Sequence, residues 1–391
     1  MTPITTTADL AAFCDKLKGA PFVAVDTEFM RETTYWPKLC LIQAATAEHE
    51  AVIDPLSPDL DLAPFLEVLK DTASLKVLHA ARQDVEIFFN LGATPMPLFD
   101  TQIAGMAAGF GEQVAYDALV RQMLKIDLDK SSRFTDWARR PLSDAQLTYA
   151  LADVTHLAEL YPILRERLEA EGRMAWVAEE MKAMTAPALY DTAPENAWKR
   201  LRLRRHTPKY RAVFKAIAAW RERTAQTRDQ PRGRILKDDA IDELATQAPT
   251  DMEGLERLRS LQKGFGNSKF GGELLGVIAE AASSPEALAA ATARAATPSP
   301  PANAGAVVEL LKVLLKARAE DAGVASKLIA TVSDLEKIAA DDDADTPALQ
   351  GWRLEAFGED ALKVKRGELA LVLDGARVRA VEVRRRPRIA D

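Results

Sequence analysis

The run Phe22-Val23-Ala24-Val25 leading into Asp26-Thr27-Glu28 constrains the fold more than any other stretch of this chain. Four apolar residues in succession read as a buried strand, which belongs in a sheet covered by other elements. Side chains alternate along a strand, so Asp26 and Glu28 project from one face, about 6.6 Å apart along the chain. Two carboxylates at the end of an apolar strand are costly without a group that neutralises them, and a divalent cation is the obvious one. The bland alternative is a pair of exposed acids at a strand end.

The rest of the first half follows the same alternation of short apolar strands and helices. Leu39-Cys40-Leu41-Ile42-Gln43 reads as a second strand and Ala51-Val52-Ile53 as a third, with a hairpin bend at Trp36-Pro37 between the first two. Lys76-Val77-Leu78-His79 is a further strand, and a helical pattern starts near Gln83. Antiparallel strands early and strand–helix alternation later imply a mixed sheet flanked by helices. From about Ser143 the pattern is almost wholly helical.

With 391 residues the chain has room for two or three domains. Pro187, Pro194 and Pro208 mark a crossing between domains. Beyond them Tyr210, Val213, Phe214, Ile217 and Trp220 form one amphipathic stripe. Ala295 to Ala302, rich in Pro and Ala, is the clearest linker. A third unit starts at Val307 and carries Leu310, Leu311, Leu314 and Leu315. Alternation from Leu369 to Val383, on both sides of Asp374-Gly375, signals a terminal β-hairpin before a basic tail, Arg384-Arg385-Arg386-Pro387-Arg388. The expected division is an α/β domain over 1–185, a linker over 186–208, and a helical domain over 209–290. A Pro/Ala linker over 291–304 and a second helical domain over 305–391 complete it.

No run approaches the roughly 18 apolar residues of a membrane helix, and the N-terminus lacks the features of a secretion signal. Cys14 and Cys40 are too few for a disulfide framework or a cysteine-based zinc site, which fits a reducing cytoplasm. The four histidines are too scattered for a metal cluster. A net charge of −7 argues mildly against a nucleic-acid partner, but the charge is unevenly placed. Fourteen basic residues lie between Lys199 and Lys237, opposed only by Glu222 and Asp229. A solvated helix face is the plainer reading of a basic run, but this excess is too one-sided for balanced i,i+4 pairing and favours holding a polyanion.

Two further segments carry candidate chemistry. Asp84 sits near the start of a helix that follows a strand, where loops deliver functional groups to the rim of a sheet, although acids there also favour the helix dipole. His79, at the strand end, reads as structural. Ser143 and Gln146 form a Ser-x-x-Gln capping box, so Tyr149 and Asp153, four apart, share one face of the helix that follows. Leu147, Leu151, Val154 and Ala158 supply the neighbouring apolar stripe.

Taken together, Asp26, Glu28, Asp84 and Asp153, with Tyr149 four before the last, resemble the exonuclease superfamily whose site is four acids plus a tyrosine. The likeness is greatest to the ribonuclease D family. Asp26-Thr27-Glu28-Phe29 through Arg31, Thr34-Tyr35, Pro37, Leu39, Leu41, Ile42 and Gln43 resembles its first motif. His79-Ala80 with Gln83-Asp84-Val85-Glu86, and then Asp100-Thr101-Gln102, resemble the second. Asp129-Lys130-Ser131, Thr135-Asp136-Trp137 and Arg140-Pro141-Leu142 resemble the approach to the third. The likeness covers about the first two hundred residues; the later helical units resemble the paired modules shared by ribonuclease D and certain helicases.

The resemblance implies a ribonuclease H-like α/β exonuclease domain followed by two helical domains, and 3′→5′ exoribonuclease activity. It implies two divalent ions, Mg²⁺ or Mn²⁺, with Asp26 bridging, Glu28 and Asp153 completing one site and Asp84 holding the other. Tyr149 orients the attacking water, since a phenol is a poor base at neutral pH, and His156 lies too far along the helix to replace it. Nucleoside 5′-monophosphates are the implied products, and tRNA precursors with 3′ extensions the implied RNA partner. Arg202, Arg204, Arg205, Lys209, Arg211, Arg228, Arg232 and Arg234 are the candidates to hold that RNA. The chain is expected to act as a monomer without a membrane. The acidic run Asp341-Asp342-Asp343, with Asp345, reads as a solvated loop. A DNA 3′→5′ exonuclease and a non-catalytic RNA-binding adaptor are the competing readings.

Overall fold

A five-stranded sheet in the order β3-β2-β1-β4-β5 forms around the apolar run. Its strands are β1 (Phe22–Met30), β2 (Lys38–Ala45), β3 (Glu50–Ile53), β4 (Leu75–Leu78) and β5 (Leu98–Asp100). β2 and β3 are antiparallel, whereas β1, β4 and β5 run parallel, so the sheet is mixed. Val23, Ala24, Val25, Leu41, Ile42 and Ile53 are wholly buried, as a sheet covered on both faces requires. The computed structural model describes residues 2–129, 131–133, 135–292 and 304–383. Lys130 of the third-motif approach, most of the Pro/Ala linker and the basic tail lie outside the described residues.

Helices α1 (Thr7–Leu17), α2 (Ala63–Lys70), α3 (Arg82–Asn90), α4 (Thr101–Ala107), α5 (Tyr116–Leu124), α6 (Asp144–Ala170) and α7 (Met174–Met184) accompany the sheet. Their starts follow local chemistry. Thr6 accepts from the Asp9 amide ahead of α1, and Asp100 accepts from the Gln102 and Ile103 amides ahead of α4. The Ser143–Gln146 capping box forms and opens α6.

Packing divides the chain into two units. The first comprises the described residues up to Thr27, Leu41–Ala186 and the described residues beyond Pro298. The second comprises Glu28–Cys40 and the described residues from Pro187 to Thr297. In the second unit α8 (Pro208–Arg228) is followed by α9 (Arg232–Ile235), α10 (Asp238–Gln247), α11 (Met252–Glu256), α12 (Lys269–Ser283) and α13 (Pro285–Thr292). Tyr210, Val213, Phe214, Ile217 and Trp220, the stripe on α8, are all buried in its core. A 3₁₀ segment, Pro194–Arg200, packs along α8, so part of the proline-rich stretch folds into this unit. Tyr35 and Trp36, from the β1–β2 connection, pack into the same core.

Within the first unit, α14 (Ala304–Ala322), the helices Val332–Ala340 and Glu359–Lys365, and a hairpin form a separate apolar core around Leu311, Leu314, Leu335, Ile338 and Phe357. The Arg173 guanidinium reaches the Ala107 and Ala322 carbonyls, both at 2.6 Å. Trp176 stacks on Trp352 at 4.2 Å between ring centroids. The hairpin is β6 (Leu369–Asp374) and β7 (Arg377–Glu382). Asp374 pairs with Arg377, so its two-residue loop is Gly375-Ala376, one residue beyond the Asp374-Gly375 centre expected from the sequence. Gly375 has φ +62°, the value that the first position of such a loop demands and that glycine adopts without strain. Among the described residues, no single helix is long and apolar enough to cross a membrane.

Candidate active site

The parallel register, Ala24 beside Val77 and Leu78 beside Asp100, brings the C-terminal ends of β1, β4 and β5 to one rim. Ligand sites of open α/β sheets lie beyond such ends. Asp26 stands there on β1, and the Asp100 carboxylate secures the turn between β4 and α3. It accepts from the amides of Ala80 at 3.1 Å and Ala81 at 2.8 Å. Asp100 thereby fixes the start of α3, the helix that carries Asp84.

α6 is held from its approach. Arg140 grips Asp54, just past β3, in a two-pronged pair with both bonds at 2.6 Å, and its remaining nitrogen reaches the Trp137 carbonyl. Paired bonds of this kind set direction as well as distance. One helical turn then places Tyr149 against Asp153, which it hydrogen-bonds. The Tyr116 hydroxyl donates to the Asp153 backbone carbonyl at 2.5 Å.

Asp26, Glu28 and Asp153 converge: each offers an oxygen, and these atoms all lie within 4.8 Å of one another. Three carboxylates at such distances repel one another unless positive charge lies among them. The donor set is hard oxygen throughout, which suits Mg²⁺ or Mn²⁺ and not a soft metal. Asp84 stands outside this trio. It is buried and accepts a short hydrogen bond from Thr27, the residue between Asp26 and Glu28 whose side chain leaves the opposite face of β1.

Beside the trio lies a cavity of about 320 Å³ lined by Asp26, His79, Tyr116, Arg133, Tyr149 and Asp153, among others. Burial pushes the Asp153 carboxyl up to about 7, against the Tyr149 hydrogen bond and the Arg133 charge. Burial also raises Asp84 to about 7, against the Thr27 hydrogen bond. Burial lowers His79. Its Nδ1 lies 2.9 Å from the Thr101 hydroxyl, which is also 3.2 Å from the Leu78 carbonyl, and these contacts tie the β4 end to α4. His156 is not among the cavity's lining residues; its Nδ1 faces Glu159 at 3.7 Å.

Tyr116 and Arg133 are among the cavity residues that the sequence did not single out. No local pattern signals either: Tyr116 opens α5 and Arg133 lies in the connection before α6, and tertiary packing brings both to the cavity.

The basic residues of the second unit separate into two groups. Arg202, Arg204, Arg205, Lys209, Arg228 and Arg234 are exposed. Arg211 is buried at 5% exposure, and Arg232 spends its guanidinium on Glu222 and Tyr35. Arg232 thereby ties Glu222 to Tyr35 within the unit.

Acids at the rim of a mixed sheet, with a tyrosine aligned to the last of them, define a 3′–5′ exonuclease. The family model for 3′-5′ exonucleases matches residues 1–169, and that for HRDC domains matches residues 211–278. Ribonuclease D of Nitrobacter hamburgensis is 50% identical over 384 residues, covering 98% of this chain and all of that one. Ribonuclease D of Granulibacter bethesdensis is 49% identical over 385 residues, covering 97% of this chain and 96% of the other. The crystal structure of Escherichia coli RNase D, described as an exoribonuclease involved in structured RNA processing, superposes with a TM-score of 0.78 at 29% identity. That likeness covers 94% of this chain and 99% of the other. The chain belongs to the ribonuclease D family and is a 3′–5′ exoribonuclease.

Proposed function

We propose that Asp26, Glu28, Asp84 and Asp153 hold two divalent cations, Mg²⁺ or Mn²⁺, and that the enzyme removes nucleoside 5′-monophosphates singly from RNA 3′ ends. Its substrates on this reading include tRNA precursors with 3′ extensions, processed by a monomer in the cytoplasm. The observation that carries the reading is the convergence of Asp26, Glu28 and Asp153 next to a cavity that Tyr149 also lines. When bound, the cations supply Lewis acidity to the attacking water and to the departing 3′-oxygen. Tyr149, fixed by its bond to Asp153, orients that water by hydrogen bonding. Arg133 offers positive charge at the cavity wall, suited to the phosphate of the terminal nucleotide. The exposed set Arg202, Arg204, Arg205, Lys209, Arg228 and Arg234 holds the body of the RNA by its phosphates. Cys14 and Cys40 are buried and not joined in a disulfide, which suits a reducing compartment.

The test is digestion of a 5′-labelled tRNA precursor with a 3′ extension, and of a matched DNA strand, in Mg²⁺, in Mn²⁺ and in chelator. A metal-dependent ladder that shortens from the RNA 3′ end is expected. Asp26→Ala is expected to slow it by roughly 10³-fold, since a cation's contribution is several kcal/mol. Shortening that persists in chelator, or a large preference for DNA, overturns the reading.

A further inference from the structure

We propose that Tyr35 and Asp229 are positioning residues for the cation site: they clamp the chain that leaves Glu28 to helix α8 of the HRDC-matching unit. The proposal rests on reading Asp26 and Glu28 as cation ligands and adds a role for the helical unit besides holding RNA.

Glu28–Cys40 belongs to the same compact unit as α8. Tyr35 lies seven residues beyond Glu28 and is buried at 5% exposure. Its hydroxyl is fully used: it donates to Glu222 at 2.5 Å and accepts from Gln226 at 3.1 Å and from Arg232 at 2.9 Å. The Arg232 guanidinium also lies over the Tyr35 ring, 4.6 Å from its centroid. Glu222 is wholly buried and is met by Arg232 through two bonds at 2.6 Å and by Arg200 at 3.0 Å. A buried carboxylate with this many donors holds its partners in one geometry.

The backbone is held as well as the ring. Asp229 closes α8 in a left-handed conformation, φ +47°, which turns its carboxylate towards the β1–β2 connection. One oxygen of that carboxylate accepts from the amides of both Tyr35 and Trp36, each at 3.0 Å. Trp36 packs against the core of the same unit.

Two successive amides and one ring are therefore fixed a short way beyond a proposed cation ligand. Each backbone residue left unfixed regains conformational entropy. A strand end that wanders holds its carboxylate in the cation-binding geometry for less of the time. Packing alone needs neither the two-amide capture nor a tyrosine hydroxyl bonded three ways; both add direction to the segment that starts at Glu28.

The variants are Tyr35→Phe, which keeps the ring and loses the hydroxyl, and Asp229→Ala, at an exposed position that leaves the core intact. Asp229→Asn keeps one acceptor oxygen and serves as the conservative rescue. Mn²⁺ binding is read by electron paramagnetic resonance without RNA, and amide hydrogen exchange is read across residues 29–37 of metal-free full-length protein. Tyr35→Phe and Asp229→Ala are expected to weaken Mn²⁺ binding by about tenfold, the lower end for groups that support ligands from outside. Faster exchange at 29–37 is expected in both, with RNA affinity in chelator changed by less than about twofold. Asp229→Asn is expected to restore most of the Mn²⁺ affinity. Wild-type Mn²⁺ affinity in both variants overturns the proposal, and so does Asp229→Asn behaving as poorly as Asp229→Ala. Asp26→Ala separates the two readings. If it leaves Mn²⁺ binding intact, the cation reading fails, whereas unchanged exchange in Tyr35→Phe and Asp229→Ala removes the clamp itself.

Discussion

Asp84 and Asp153 in the exonuclease domain and Glu222 in the helical unit are all carboxyl groups withdrawn from water, yet their surroundings treat them in opposite ways. Burial drives Asp84 and Asp153 up to about 7; Thr27 bonded to the first, and Tyr149 with the Arg133 charge near the second, do not offset it. Burial acts on Glu222 too, but hydrogen bonds from Arg232 and Tyr35, with the charges of Arg232 and Arg200, hold it below the usual carboxylate range. The helical unit carries its own neutralising cations. Burial of Asp84 and Asp153 is not offset in this way, in keeping with the cation site proposed above.

The largest effect that can break this comparison is on stability. Glu222→Ala strands Arg232 and the Tyr35 hydroxyl and is expected to cost about 3–5 kcal/mol in denaturant unfolding. Asp84→Asn removes a charge that its setting disfavours and, in chelator, is expected to cost less than about 1 kcal/mol. A greater loss at Asp84 than at Glu222 contradicts the contrast.

The dependence of stability on pH sharpens it. Asp84 and Asp153 titrate higher in the folded chain than at the ordinary 3.8. Their contribution is complete below that value and is lost as pH rises towards about 7. Glu222 has the reverse sign: its contribution is present above the ordinary carboxylate range and is lost as pH falls through its lowered value. In chelator, the thermal midpoint of Asp84→Asn/Asp153→Asn is expected to fall less than that of wild type between pH 5 and pH 8. Parallel curves for the two proteins sink that assignment. Smallest of all, Arg204→Ala/Arg205→Ala is expected to leave the unfolding midpoint within about 0.5 kcal/mol of wild type. It should flatten the plot of log affinity for single-stranded RNA against log salt by about 0.7 for each phosphate that is no longer neutralised. An unaltered slope places the RNA elsewhere.

Much of the site was legible because its chemistry is local. Asp26 and Glu28 follow from strand alternation, and the capping box sets the phase of α6 that aligns Tyr149 with Asp153. The mixed sheet was legible from the apolar runs, and the terminal hairpin from the alternation around Gly375, although its loop falls one residue later. What was not legible depends on partners far apart in sequence. Trp36-Pro37 reads as a bend, but the neighbouring Tyr35 finds Glu222 across 187 residues, and no pattern around either announces that meeting. The basic run likewise reads as one binding face. Only the packing of this unit shows that Arg211 is buried and Arg232 bonded to Glu222 while Arg204 and Arg205 are exposed.

Whether the exonuclease carboxylates form a cation site is decided by titration calorimetry of Mn²⁺ into the enzyme without RNA. The titration is run near pH 6.5 in two buffers of different ionisation enthalpy, so that proton release is counted together with stoichiometry. Two ions per chain, with protons released from carboxyls that titrate near 7 and both signals reduced in Asp153→Asn, is the predicted result. Binding without proton release, or binding unaffected by Asp153→Asn, contradicts the account.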